Sequence, residues 1–144
     1  MEFYMVLPFV VGRIVDENGR VLLGRQPNLP HKPYPGLWDM PGGKLDPGDD
    51  SIEACIRREI KEETGLEVVQ CAIRGTFHHA GDRIRPDCRS AIPGLGICFD
   101  LRVSGDLVPN EMEDMHWVKP DELRELVKNP GLTPWAEYFL KDLL

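Results

Sequence analysis

The stretch from Asp50 to Leu66 constrains this chain more than any other part of it. Asp50-Ser51-Ile52-Glu53 reads as a capping box, with Asp50 as the N-cap and Glu53 reaching back to it. Gly65 supplies the left-handed residue that ends a helix. On a helix at about 100° per residue, with Ile52 as zero, Cys55, Ile56 and Ile60 fall at about 300°, 40° and 80°. Glu59, Glu62 and Glu63 fall at about 340°, 280° and 20°, inside the same sector. A solvated charged face lies opposite the apolar stripe. These carboxylates continue the stripe.

That arrangement opposes folding on its own. Like charges three or four residues apart cost a helix about 0.2–0.5 kcal/mol per pair, and partial burial adds more. Arg58, four residues before Glu62, offsets one charge and orients one side chain. A hard divalent cation with oxygen ligands, Mg²⁺ or Mn²⁺, offsets the cluster better than zinc would. The pattern therefore favours a metal site over a structural salt-bridge network.

Immediately upstream lies GLWDMPGGKLDPGDD. It lacks the G-x-x-x-x-G-K-[ST] of a P-loop, and its spacing from Asp46 does not fit an EF-hand. The Gly42-Gly43 pair provides backbone that a ligand can approach closely.

With these residues in view, the chain resembles the Nudix hydrolases, whose signature is G-x5-E-x7-R-E-U-x-E-E-x-G-U, with U bulky and aliphatic. Residues 58–66, REIKEETGL, fit the second half at every fixed position. The first half departs by one extra residue, and an aspartate, Asp49 or Asp50, replaces the usual glutamate. PGLWDMPGGK is similar to the segment before the box in MutT-type members, and NEMEDMHWVKPDEL to the family's late strand and helix. The resemblance implies an α/β (α+β) fold, an α/β/α sandwich with a central mixed sheet, as a single domain over 1–144. It implies metal-dependent hydrolysis, with Mg²⁺ or Mn²⁺, of a nucleoside diphosphate linked to another group. A nucleoside triphosphate leads; a sugar-nucleotide or dinucleotide substrate, or a non-catalytic nucleotide sensor, is the alternative. It also implies roles: Glu59, Glu62 and Glu63 with the Gly42 carbonyl as metal ligands, Glu62 as a catalytic carboxylate, and Arg58 as the orienting arginine. Arg25, Lys44 and Trp38 become candidates for substrate contact. Glu111 is the candidate additional carboxylate or base, with Glu113 and Asp114 as rivals. A homodimer is common in the family.

The bulk properties agree. A net charge of −7 disfavours binding to a nucleic-acid polymer, which needs a basic face. No run of about 18 apolar residues is present to span a membrane. The apolar opening lacks a signal peptide's basic region and cleavage site, so the chain reads as cytoplasmic. The four cysteines, Cys55, Cys71, Cys88 and Cys98, form no C-x-x-C pair and read as reduced thiols.

Other stretches order the rest. Residues 6–15 and 20–25 read as a hairpin with Asn18-Gly19 at its tip. Six prolines between 27 and 47 predict an ordered loop region with little regular structure. Strands are expected at about 67–79, 95–103 and 113–119, and helices at about 120–128 and 133–144. The polar loop at about 80–92 is expected to set substrate preference. His78 and His79, adjacent on a strand, face opposite ways and do not form a metal pair. Trp135 and Phe139 read as core; Phe9, Tyr34, Trp38 and Phe77 could stack on a base, with buried packing the expected role of most of them.

Overall fold

The computed structural model describes residues 2, 5–30, 32–81 and 92–144. Strand β1 (Leu7–Ile14) is its organising element, because both of its edges are used. It runs parallel to β6 (Gly94–Ser104) and antiparallel to β4 (Gly42–Lys44). Strand β5 (Glu67–His79) pairs antiparallel with β6, which gives a mixed sheet of order β4-β1-β6-β5.

Successive side chains of a strand point to opposite faces, and β1 feeds two cores in this way. Val10 and Ile14 pack with Cys55, Ile56 and Ile60 of helix α1 (Ile52–Thr64). Val11 shares the other core with Leu123 of α2 (Pro120–Lys128) and with Trp135, Ala136 and Phe139 of α3 (Pro134–Leu140). Helical layers on both faces of a mixed sheet are the α+β sandwich expected from the sequence.

A second sheet joins β2 (Val21–Arg25), β3 (Trp38–Asp39) and β7 (Glu113–Val118) in the order β3-β2-β7. This corrects the expected hairpin. The turn at Asn18-Gly19 forms, with Gly19 at φ 77° and a bridge between Val15 and Val21. Beyond that bridge the strands part into different sheets, because β4 and β6 already occupy both edges of β1. The proline-rich segment also holds more structure than expected, since β3 and β4 lie within it.

The N-terminus of α1 differs by one residue from the expected capping box. Ser51, in an extended conformation, is the N-cap, and its hydroxyl accepts from the Ala54 N–H at 3.0 Å. Glu53 instead pairs with Arg57 one turn on, at 3.1 Å. The last helix is shorter than expected, ending at Leu140 before a 3-10 turn over Lys141–Leu143. Cys55 and Cys98 are buried free thiols whose pKa values burial pushes up to about 12. Cys88 and most of the loop at 80–92 lie outside the described residues. No helix among those residues is long and apolar enough to cross a membrane.

Gly65 ends α1 at φ 73°, with its N–H donating to the Lys61 carbonyl at 3.0 Å. A Cβ there would also sit 3.2 Å from Val108 Cβ. Gly65→Ala is expected to cost about 1–2 kcal/mol from the left-handed conformation. Thermal unfolding should show a melting temperature lower by roughly 3–8 °C.

Candidate active site

Helix α1 lies against β4, and β4 against β1, and a glycine keeps each contact open. A Cβ on Gly42 would lie 2.0 Å from the Val10 carbonyl oxygen, so the backbone of β1 excludes any side chain there. A Cβ on Gly43 would lie 2.5 Å from all three atoms of the Glu59 carboxyl group. Gly42 therefore lets β4 lie close on β1, and Gly43 lets an α1 carboxylate sit directly on the strand backbone. Glu63 is 7% exposed, and its Oε2 accepts from the Gly42 N–H at 2.9 Å.

Arg58 organises the outer side of this cluster. Its Nε and Nη2 each meet one oxygen of Asp49 at 2.9 Å, a two-pronged guanidinium–carboxylate pair. Its Nη1 reaches Glu59 at 3.0 Å and Glu62 at 3.3 Å. Asp49, and not Asp50, is thus the acid linked to the helix arginine, and the extra residue falls between Asp49 and Arg58. That pairing drives the Asp49 carboxyl far below, and the Arg58 guanidinium well above, their ordinary values. Glu62 differs from its two neighbours: its side chain is 55% exposed. The shared sector read from the sequence therefore holds for Glu59 and Glu63 better than for Glu62.

The connection from β6 to β7 supplies the next carboxylate. It is stitched to the end of α1: Val108 N–H donates to the Thr64 carbonyl and Asn110 N–H to the Glu63 carbonyl, both at 2.8 Å. These bonds use helix-terminal carbonyls that have no partner within the helix. Glu111 follows at φ 72°, a left-handed conformation uncommon outside glycine. It lines the same cavity as Glu59 and Glu63, and its charge raises the pKa of both. Its rivals are engaged elsewhere: Glu113 and Asp114 both pair with Arg25.

The cavity has a volume of about 300 Å³. Its wall includes Gly42, Gly43, Lys44, Glu59, Glu63 and Glu111. It also includes Phe9, Tyr34, His79 and Trp135, with ring centroids 5.0 to 5.9 Å apart in edge-on contacts. Of the expected substrate contacts, only Lys44 lines it. Arg25 is turned to its acidic partners, and Trp38 is 7% exposed in the core with its ring 5.5 Å from His116. The extended segment is so buried that its tryptophan serves packing. Trp135, read as core, is both buried and part of the cavity wall.

Sequence reasoning did not single out Asp39. It is buried beside the cavity, and burial, opposed by its hydrogen bonds to Trp135, Gln26, Met40 and Thr133, pushes its carboxyl up to about 6. The signal was present: one acid stands between Trp38 and Met40 in an otherwise apolar run.

The donor set suits a hard cation. Every candidate ligand is an oxygen, and carboxylates outnumber the cations that answer them. Burial first, then the charges of Glu59, Glu111 and Asp39, raises the Glu63 carboxyl well above the usual range despite the Gly42 bond. Burial likewise raises Glu59 against the pull of Arg58. Among the described residues no three ligating side chains already converge on one point, because Arg58 holds Glu59 and the Gly42 N–H holds Glu63. Binding an ion would draw on the remaining lone pairs of these two groups, with Glu111 lining the same cavity.

The pKa shift of Glu63 gives a signed expectation. A carboxyl raised in the folded state contributes stability that is full below its unfolded value, about 4.5, and is lost as pH rises through the folded one. In excess chelator the protein should melt lower at pH 9 than at pH 5. Glu63→Gln, which keeps an oxygen for the Gly42 N–H, should flatten that dependence and melt a few degrees higher than wild type at pH 9. A steeper loss in the variant would make Glu63 a structural anchor.

Comparison with known proteins gives this geometry a family. The sequence model of the NUDIX domain matches residues 7–143. The CTP pyrophosphohydrolase of Escherichia coli K12 is 28% identical over 131 residues, covering 91% of this chain and 90% of that protein. The NAD-capped RNA hydrolase NUDT12 of Pongo abelii is 30% identical over 123 residues, 83% of this chain. The chain spans only 24% of that protein's length. The crystal structure of a MutT Nudix hydrolase from Burkholderia pseudomallei superposes with a TM-score of 0.77 at 22% identity, covering 97% of this chain and 99% of its own. Nudix hydrolases generally use divalent metal ions, in keeping with the oxygen donors of α1. The chain belongs to the Nudix family, and its fold is that of the MutT Nudix structure.

Proposed function

We propose that the chain hydrolyses the diphosphate bond of a nucleotide, with a nucleoside triphosphate as the leading substrate. The observation that carries this reading is the continuity of the cavity, which joins a carboxylate cluster to an aromatic wall. Such a cleft takes the phosphates at one end and the base at the other. The relative named as a CTP pyrophosphohydrolase, similar over nearly its whole length, supports a triphosphate.

Glu59 and Glu63, with the Gly42 carbonyl, are the groups that would hold Mg²⁺ or Mn²⁺. When bound, the cation neutralises phosphate oxygens and acidifies water. Arg58 orients Glu59 and Glu62 while Asp49 fixes its guanidinium. Lys44 pairs with a phosphate oxygen. Glu111, held in place by the connection stitched to α1, accepts the proton of the attacking water on its carboxylate. Water adds to one phosphorus, and the bridging P–O bond breaks toward the leaving phosphate. Glu62, its side chain 55% exposed, is a further carboxylate 3.3 Å from Arg58.

The deciding experiment is a panel of nucleoside triphosphates, NADH and nucleoside diphosphate sugars, each with Mg²⁺ and with Mn²⁺. Products should be a nucleoside monophosphate and pyrophosphate from the triphosphates. Cleavage of NADH alone would replace the leading reading with a dinucleotide one, which the resemblance to a NAD-capped RNA hydrolase already motivates. Glu63→Gln and Glu111→Gln should each lower kcat at least 100-fold, and turnover undiminished by excess chelator would exclude the metal-assisted route.

A further inference from the structure

The turn that carries Glu111 is held from two sides. The Met112 N–H donates to the Asn110 carbonyl at 2.9 Å, which closes a three-residue turn around Glu111 at φ 72°. A turn of this length with positive φ at its centre is the rare, strained form. Such a conformation persists only where its surroundings over-determine it. On one side the restraint is the end of α1: the Asn110 N–H donates to the Glu63 carbonyl at 2.8 Å, and Asn110 Nδ2 to the Glu62 carbonyl at 3.4 Å. On the other side it is β2. A Cβ on Gly24 would lie 2.8 Å from Met112 Cβ, 3.1 Å from its Cε and 3.2 Å from its Sδ, so the Met112 side chain lies along this glycine. Gly24 is buried at the bulge of β2 and does not have a positive φ, so backbone conformation does not call for glycine there. Glycine inside a strand weakens it and marks a close approach. What approaches here is Met112, which also packs against the core beneath α1.

We propose that Met112, seated on Gly24, is a positioning residue for the hydrolysis: it holds the turn closed and so keeps the Glu111 carboxylate at the cavity wall that Glu59 and Glu63 share. This rests on the reading above of Glu111 as the group that accepts the water's proton. Without the seat, Glu111 returns to negative φ, the region that residues with a side chain prefer, and its Cα–Cβ bond turns away from its present direction. A misplacement of about 1 Å costs a reaction about a hundredfold in rate. The glutamates of α1, the Gly42 carbonyl and Lys44 stand on other elements, so metal and phosphate should still bind while proton transfer fails. Gly24 is not among the described residues that line the cavity. A change there therefore acts on turnover through its neighbours, with Met112 in contact.

The test compares Gly24→Ala, Met112→Ala and Met112→Leu with the wild type on whichever member of the substrate panel is cleaved fastest. Mg²⁺ affinity is read separately by calorimetry. Gly24→Ala and Met112→Ala should each lower kcat about tenfold or more, with KM and Mg²⁺ affinity within about twofold of wild type. Met112→Leu, which refills the space over Gly24, should recover most of the rate. Because the effect passes through Glu111, adding Gly24→Ala to Glu111→Gln should cost no further activity. An equal second loss in that double variant would overturn the proposal, and so would a matching fall in Mg²⁺ affinity. A raised KM at unchanged kcat would make Met112 a substrate contact and overturn it too. Melting curves establish that each variant is folded; if Gly24→Ala is not, Met112→Ala takes its place in the double variant. An impaired Glu111→Gln beside fully active Gly24→Ala and Met112→Ala would remove the positioning role and leave the reading of Glu111 standing. Undiminished kcat in Glu111→Gln would remove that reading and the proposal together, and so would a wild type that cleaves no member of the panel.

Discussion

The hydrogen bond from the Gly42 N–H to Glu63 sets the conditions for the rest of the site. It brings the end of α1 onto the backbone of β4, where Gly43 has no side chain to meet Glu59 and Gly42 none to meet the backbone of β1. β4 is held by β1, and β1 by β6, so the carboxylate is referenced to the centre of the sheet. One neutral donor does not balance a buried charge. Burial and the neighbouring acids push its pKa up, and the resulting excess of negative charge is what a bound cation would relieve.

From the same junction the structure builds outward in two directions. Toward solvent, Arg58 collects Asp49, Glu59 and Glu62 and orders the loop before the helix. Toward β7, the carbonyls at the end of α1 capture the connection that presents Glu111. Helix α1 thus positions carboxylates by two means, its side chains and its terminal carbonyls. Part of the aromatic wall of the cavity depends on different elements, β3 and α3, fastened by Asp39. The carboxylate cluster and Trp135 are therefore supported by separate parts of the fold.

Much of this was legible in the sequence because helical period and charge disagree in α1. Placing carboxylates on the apolar side requires a physical reason, and periodicity shows it without coordinates. The strand limits of β5 and β6 and the extent of α2 also followed from pattern. Three things did not. Sheet membership depends on which strand edges are already taken, so the β1–β2 turn looked like an ordinary hairpin. Whether an aromatic residue lines a cavity or fills a core depends on tertiary placement, which separated Trp38 from Trp135. The role of an isolated acid depends on its donors, and those of Asp39 come from residues 26, 40, 133 and 135. The position of the extra residue in the loop became clear only from the Arg58–Asp49 pair.

The central claim is that the raised carboxyls of α1 form a cation site and must be ionised to act as one. Metal binding to protonated carboxyls releases protons. Calorimetric titration of the protein with Mg²⁺ or Mn²⁺ near neutral pH, in two buffers of different ionisation enthalpy, measures that release directly. The account predicts proton release on binding that diminishes as the pH is raised, and its loss with most of the affinity in Glu63→Gln. Binding without proton release at any pH, or affinity unchanged in that variant, would contradict it.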